Sequence, residues 1–496
     1  MLGLYRMSVY LNDLGIDCDI YDSRLYKVDD YIKKASCGYY TAIGISVTDW
    51  WFQQDIDMLA MFQEACRGQQ TLFIAGGLTA TAAPVLCLSL GFDIVVLGFG
   101  EAILAEIIFI AENFWEKRGD FFSNLHGIAF ITTHSSIIIR QPQPLSKEFF
   151  EKIHMDYAMR MAIPYSEIWQ WNIDNVLSRL DSREDCVIET TCLYTSSFCP
   201  NKCGFCSSKL IRLAYGKNTR EYFLNAEQCL ELVHNDIDKY GAQRIRFNDD
   251  DFLCSPERTR EFCRLIIEEK KKGLLPNNLS FFCMARIMDF ITKNNTIDIE
   301  LIHLLRTAGF FSIAPGVESF SAHLLQMPIM NKKGYDDIRA TAVLQALKSS
   351  NITPCVQCIL LLPDADIHDI VFNIRKISEM SQMGFLVAIG DFLIAQLGCP
   401  AYDYNEYETT VKFIHNKYTG KCAKIKHLFV PRDEQIRNYV ENFNDKIDMY
   451  KKSSCYYCSR DKENIDTLLH CAALANILQQ NELEQELICR MKVLLA

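Results

Sequence analysis

The segment Phe198-Cys-Pro-Asn-Lys-Cys-Gly-Phe-Cys206 sets three thiols within eight residues on a loop that carries proline and glycine. A loop of that composition lets the backbone wrap, so Cys199, Cys203 and Cys206 can turn toward one point. The stretch just before it, Val187 to Leu193, is a short β-branched and apolar run of the kind that forms a buried strand. The thiols therefore stand at the carboxyl end of a strand, where α/β folds place their chemistry.

Downstream, the strand pattern recurs. Runs at Arg244 to Asn248, Leu279 to Met284, Phe311 to Ala314, Pro354 to Leu362 and Phe385 to Ile394 read as strands, with amphipathic helices between them, as at Ala226 to Tyr240 and Pro256 to Lys272. Six such repeats predict a partial (β/α)6 barrel of the TIM type over 186–404. Upstream, residues 1–120 alternate short apolar runs with helical patterns. Met1 to Leu14 reads as a helix, Asp17 to Tyr21 as a strand, and Ala42 to Val47, Leu72 to Ala75 and Ile94 to Leu97 as buried strands. Helices are expected at Asp55 to Arg67 and from Ala102. This predicts a small doubly wound, Rossmann-like parallel sheet. A connector with a hairpin at Gly127 to Arg140 fills 121–185, and a mainly helical region fills 405–496. The fold class is α/β.

The 496-residue chain has 49% hydrophobic and 23% charged residues and a net charge of −11, so a phosphate-tracking nucleic-acid surface is not expected. The 21 cysteines are mostly scattered through apolar segments and follow no disulfide framework, which suits a reducing cytoplasm. Thr71 to Phe92 is uncharged and long enough to span a bilayer, but Gly76-Gly77 and Pro84 break it into strand, loop and helix. No membrane span and no signal peptide are expected.

Three thiolates with no fourth ligand nearby suit an iron–sulfur cluster with one open iron, whereas structural zinc sites close with four ligands. The Cys-x3-Cys-x2-Cys spacing, with aromatic Phe205 before the last thiol, resembles the radical S-adenosylmethionine superfamily. The resemblance implies that Cys199, Cys203 and Cys206 bind a [4Fe–4S] cluster whose fourth iron is chelated by S-adenosylmethionine. It implies reductive cleavage to a 5′-deoxyadenosyl radical, hydrogen abstraction from an unactivated C–H bond, and an external electron donor such as flavodoxin or ferredoxin. Phe205 is then expected near the adenine.

Later strand ends supply further candidates. Arg244-Ile-Arg-Phe-Asn-Asp-Asp-Asp-Phe252 ends the second barrel strand with three adjacent carboxylates, and the resemblance favours Asp249 and Asp250 as ligand contacts. Arg286 ends the third strand, where a guanidinium is suited to bidentate pairing with the carboxylate of S-adenosylmethionine. Gly316-Val-Glu-Ser319 resembles the family's Gly-Ile-Glu-Ser run, together with Ala308-Gly309 before it, which points to Glu318 and Ser319. The fifth strand departs from the family: Cys358-Ile-Leu-Leu-Leu-Pro-Asp-Ala-Asp366 has Leu361 where the family has glycine.

At the amino end, Gly44-Ile-Ser-Val-Thr48, Ala75-Gly-Gly-Leu-Thr79 and Leu97-Gly-Phe-Gly-Glu101 resemble three successive loops of the cobalamin-binding domain that precedes many radical methyltransferases. Gly76 and Gly77 are the candidate contacts, and cobalamin is an optional cofactor. The chain begins at what would be that domain's first helix, without a preceding strand, and no Asp-x-His-x-x-Gly occurs. The resemblance thus leaves open His-off cobalamin binding or a domain kept as scaffold.

Two other cysteine pairs stand out. Cys355 and Cys358 lie three apart on a strand and should face opposite sides. Cys455-Tyr-Tyr-Cys458 sits in a polar loop and could join Cys422, His470 or Cys471 in a second metal site. The expectation is a cytoplasmic radical enzyme acting on a small molecule or peptide, with methyl transfer as its finer form. The alternatives are cobalamin-independent dehydration, rearrangement or C–C bond formation, and a non-catalytic iron–sulfur sensor.

Overall fold

A computed structural model describes residues 2–49, 51–175, 189–216, 219–434, 436–437 and 462–495. Its first sheet holds β1 (Ala42–Ser46), β2 (Leu72–Gly76), β3 (Ile94–Val96), β4 (Ile128–Ile131) and β5 (Ile137–Arg140), in that order. The first three strands are parallel, and β4 and β5 add antiparallel at the far edge. The hairpin expected within the connector is thus pinned to the first sheet through the β3–β4 ladder. Both faces are covered, as alternation along the strands shows. Phe73, Ala75 and Val95 pack on one side with Phe52, Ile56 and Leu88, while Leu72, Ile74, Ile94 and Val96 pack on the other with Ile107 and Ile110. That two-sided burial is what a doubly wound sheet requires.

The strand expected at Asp17 to Tyr21 does not form. Its charged side chains find side-chain partners instead of a ladder. Asp19 accepts from Lys34 at 2.7 Å and from the Tyr40 hydroxyl at 2.9 Å, and β1 is left as the sheet edge.

The second sheet is an open row of six parallel strands, β6 (Thr190–Leu193), β7 (Arg244–Phe247), β8 (Ser280–Arg286), β9 (Phe310–Glu318), β10 (Thr353–Leu361) and β11 (Leu386–Phe392). Phe247, Phe281 and Phe310 point outward and stack with Phe252 and Phe262 under the helix Pro256–Lys271. Alternate residues such as Arg246, Phe282, Met284, Gln357 and Ala388 face the concave side and keep solvent access. The lumen of this partial barrel is therefore open, unlike the filled interior of a closed eight-stranded one.

An unpaired β11 edge would template aggregation. The helix Lys462–Ile477 covers it: Asn464 accepts from Val387 N at 3.1 Å and donates to Phe385 O at 3.2 Å, and Thr467 donates to Val387 O at 2.7 Å. Ahead of the carboxyl-terminal helices, where the sequence predicts a mainly helical region from 405, the chain instead forms a hairpin, β12 (Thr409–His415) with β13 (Cys422–Phe429). It joins the two sheets' domains. Asn416 donates to Gln63 at 2.9 Å and Leu90 O at 2.8 Å, while Phe429 N donates to Leu393 O just beyond β11.

Thr71 to Phe92 folds as strand, turn and two short helices, and among the described residues no helix is long and apolar enough to cross a membrane. Cys355 is half-buried and Cys358 buried on alternating faces of β10. Cys455 and Cys458 lie outside the described residues.

Candidate functional site

The cysteine loop leaves β6 through Thr195 and Ser196, and Asp249 fixes that exit. Its carboxylate accepts from Thr195 N and Thr195 Oγ1, each at 2.9 Å, and from the Ser196 hydroxyl. Arg258 closes the network by donating to Thr195 Oγ1 at 2.9 Å. Asp249 is 1% exposed, so its work is to hold the loop's first turn. Asp250, by contrast, is exposed just beyond β7. Desolvation by the surrounding protein raises its carboxyl, a hydrogen bond with Ser208 opposes that shift, and the Asp249 charge adds to it.

The far half of the loop is clamped at Gly204. A Cβ there would lie 2.3 Å from Pro328 O and 2.6 Å from Ile329 O, so only glycine fits. Gly204 N donates to Met330 O at 3.3 Å, Gly204 O accepts from Ala401 N at 2.9 Å, and Asn331 donates to Lys202 O at 2.7 Å. The Cys203-Gly-Phe-Cys206 turn is thus seated on the 328–331 segment that follows β9. Phe205 is half-buried against the barrel core.

Asn201 connects the loop to β7 and β8. Its amide donates to Cys199 Sγ at 3.4 Å and to Asp251 Oδ2 at 2.7 Å, and its carbonyl accepts from Arg286. Arg286 and Lys332 both act electrostatically on the Cys203 thiol, which also senses Cys206. Asp251 and Asp289 lie side by side; burial first, then the Asp289 charge, pushes the Asp251 carboxyl well up. Neither Asn201 nor Asp289 was singled out from the sequence, because only long-range contacts bring them here.

At the end of β9, Glu318 has a left-handed backbone (φ 60°), uncommon for a residue with a side chain. It accepts from Lys332 Nζ at 2.8 Å, and Lys332, only 4% exposed, also donates to Gly316 O at 2.8 Å. A Cβ at Gly316 would meet both groups within 2.7 Å. Ser319, by contrast, is fully buried and bonded to Asn373, away from the mouth. The ion pair makes a testable demand. Lys332→Met leaves the Glu318 carboxylate without its cation, and loss of one partner of a buried pair costs about 3–5 kcal/mol. Urea denaturation is expected to show a destabilisation of at least about 3 kcal/mol, whereas a surface pair would show about 1 or less.

Three thiols on one loop are a donor set that suits a four-iron cluster, which takes one thiolate on each of three irons. All three thiols are half-buried; burial pushes Cys199 up to about 12 and raises Cys203. Lys332 and Arg286 oppose that burial at Cys203, and iron, when bound, would favour the thiolate in the same way.

Above this loop stand the strand ends of the first sheet. Gly77 (φ 94°) packs against Val47 O and Ser46 Oγ, each 3.1 Å from where its Cβ would be, and opens the helix Leu78–Ala82, which lies on the helix Lys209–Ala214 after the cysteine loop. Asp49, beyond β1, accepts from Thr79 at 3.0 Å and from Leu397 N at 2.8 Å. Cys399 senses both Asp49 and Cys206. The carboxyl ends of the two sheets therefore face each other across the cysteine loop.

Residues 193–377, from the end of β6 to the helix after β10, match the Radical SAM superfamily. This part of the chain is a radical SAM domain. That family implies a [4Fe–4S] cluster and S-adenosylmethionine as cofactors. No curated protein matches at the level of sequence. Among solved structures, the fold is similar to the cobalamin-dependent S-adenosylmethionine radical enzyme OxsB with aqua-cobalamin and S-adenosylmethionine bound, at TM-score 0.66 and 14% identity over 98% of this chain and 73% of that one. It is also similar to the radical S-adenosylmethionine methyltransferase TsrM from Kitasatospora setae with tryptophan substrate and a cofactor analogue bound, at TM-score 0.62 and 12% identity over 98% and 96% of the two chains. Both cover the amino-terminal sheet as well as the radical SAM domain, so the two-domain fold is shared.

Proposed function

We propose that this radical SAM protein is an enzyme that abstracts hydrogen from an unactivated C–H bond of a substrate in the barrel lumen. Cys199, Cys203 and Cys206 would hold the cluster. When bound and reduced by an external donor such as flavodoxin or ferredoxin, the cluster supplies the electron that splits S-adenosylmethionine into methionine and a 5′-deoxyadenosyl radical. In this reading Arg286 would take the cofactor's carboxylate, Glu318 would accept from its amino or ribose hydrogens, and Phe205 would pack near its adenine. Asp250 would face the same site. Asp249 and Ser319 act by holding backbone.

The observation that carries this reading is the clamped cysteine loop, set between two cations at the carboxyl ends of six parallel strands. It is tested by anaerobic incubation of iron-loaded protein with S-adenosylmethionine and dithionite. Formation of 5′-deoxyadenosine is the expected result. An intact cluster that yields none favours a non-catalytic sensor.

The finer reading is cobalamin-dependent methyl transfer, supported by the fold shared with OxsB and TsrM. Gly76 leaves open space at the end of β2, where a corrinoid would lie, beside Gly77. A second reading, cobalamin-independent dehydration, rearrangement or C–C bond formation, is favoured by Tyr215. Its ring covers Gly98 at the end of β3, its oxygen 2.6 Å from where a Cβ would be, and its hydroxyl accepts from Phe99 N at 2.7 Å. A corrinoid absorption band in the purified protein, with transfer of labelled methyl to product, supports the first; turnover by protein that holds no extractable corrinoid supports the second.

A further inference from the structure

The lumen wall is apolar, formed by Phe282, Met284, Phe311, Ile359 and Leu386, all on inward positions and all half-buried. Two cations break it, Arg244 and Arg246 on β7. Arg244 lies 4.0 Å over the Phe311 ring and bonds Ser280 at 3.4 Å. Arg246 is different. Its guanidinium lies 4.9 Å over the Phe282 ring, and among the described residues it enters no ion pair. It is nevertheless exposed to the lumen, since its neighbours Ile245 and Phe247 are the ones buried outward. A guanidinium on an apolar wall, set over a ring and with no acid paired to it among the described residues, is a ready partner for a planar or tetrahedral anion.

Its height in the barrel matters too. Arg246 is level with Phe282, and Arg286 lies four residues farther along β8. At about 3.3 Å per residue, the two guanidinium layers are separated by about 13 Å of strand. We propose that Arg246 anchors an anionic group of the substrate, a carboxylate or phosphate, whose apolar frame runs up the lumen toward the cysteine loop. The proposal rests on the lumen being the substrate site, as argued above. It sorts the substrate into a class: an amphipathic organic acid, with its reacting carbon remote from the charge.

Isothermal titration of the iron-loaded full-length chain with 4-phenylbutyrate, phenyl phosphate and 4-phenylbutyramide tests this. At least one of the two anions is expected to bind at least tenfold more tightly than the neutral amide. Arg246→Gln should abolish that preference, and Arg246→Lys should retain part of it. Because Arg246 is exposed, thermal melts of both variants should match the parent and exclude misfolding. Equal binding of acid and amide, no binding across the panel, or a preference that survives Arg246→Gln overturns the proposal. Failure of the parent protein to cleave S-adenosylmethionine would instead overturn the radical chemistry, and the acid–amide comparison remains readable on that same protein.

Discussion

Cys203→Ala is expected to lose the cluster's iron and to reduce 5′-deoxyadenosine formation to that of a protein-free control. Cys203 sits at the centre of the arrangement: it follows the Asn201–Arg286 contact, precedes the Gly204 clamp, and is the thiol on which Lys332 and Arg286 both act. Removing it leaves two thiols, too few to hold three irons of a four-iron cluster. Cys87→Ala is the control. Cys87 is fully buried in the first sheet's core and makes no contact with the loop thiols, so its loss should cost some stability and leave iron content intact. Iron and sulfide assays of the two reconstituted variants, run beside the parent, read the difference. Equal iron in Cys203→Ala and parent would remove this thiol from the site.

Gly204→Ala should be nearly as severe without touching a ligand. The added carbon would meet two carbonyl oxygens, Pro328 O at 2.3 Å and Ile329 O at 2.6 Å, and neither can rotate away as a side-chain tip would. The loop or the 328–331 segment must shift, carrying Cys203, Cys206 or Lys332 with it. Forced overpacking of this kind costs about 1–3 kcal/mol, and here the displaced atoms are next to the thiols. The expected outcome is a lowered melting temperature together with loss of most of the bound iron. Gly119→Ala, where nothing lies within 4 Å, should change neither. A Gly204→Ala protein that melts and loads iron like the parent would show that the clamp is not needed.

Much of the fold was legible because strand-sized apolar runs alternate with amphipathic helices at regular spacing. All six barrel strands lie where the sequence places them, and the three parallel strands of the first sheet do as well. The failures have local causes. Asp17 to Tyr21 has strand-like alternation, but Asp19 is satisfied by Lys34 and Tyr40, so its segment never needed a ladder. The β12–β13 hairpin is rich in lysine, which masked its alternation, although Tyr418-Thr-Gly420 marks a turn between the strands.

The site divides in the same way. Its cysteine spacing is a local signal and could be read directly. Asn201, Asp289 and Lys332 are ordinary residues in one dimension; they matter because folding brings them within hydrogen-bonding reach of the loop or of its partners. The inward alternation of β7 was available in Arg244-Ile-Arg-Phe247, but only the buried Phe247 cluster shows which pair faces the lumen. The run of aspartates illustrates the limit. Asp249, Asp250 and Asp251 are consecutive, yet one braces backbone, one is exposed beyond β7 and one pairs with Asp289.

The central claim is that these three thiols leave one iron of the cluster free to take S-adenosylmethionine. Electron paramagnetic resonance of the dithionite-reduced, reconstituted protein measures this most directly. Adding S-adenosylmethionine is predicted to change the g-values and line shape of the reduced-cluster signal. An identical spectrum with and without it, from a fully loaded cluster, would contradict the account.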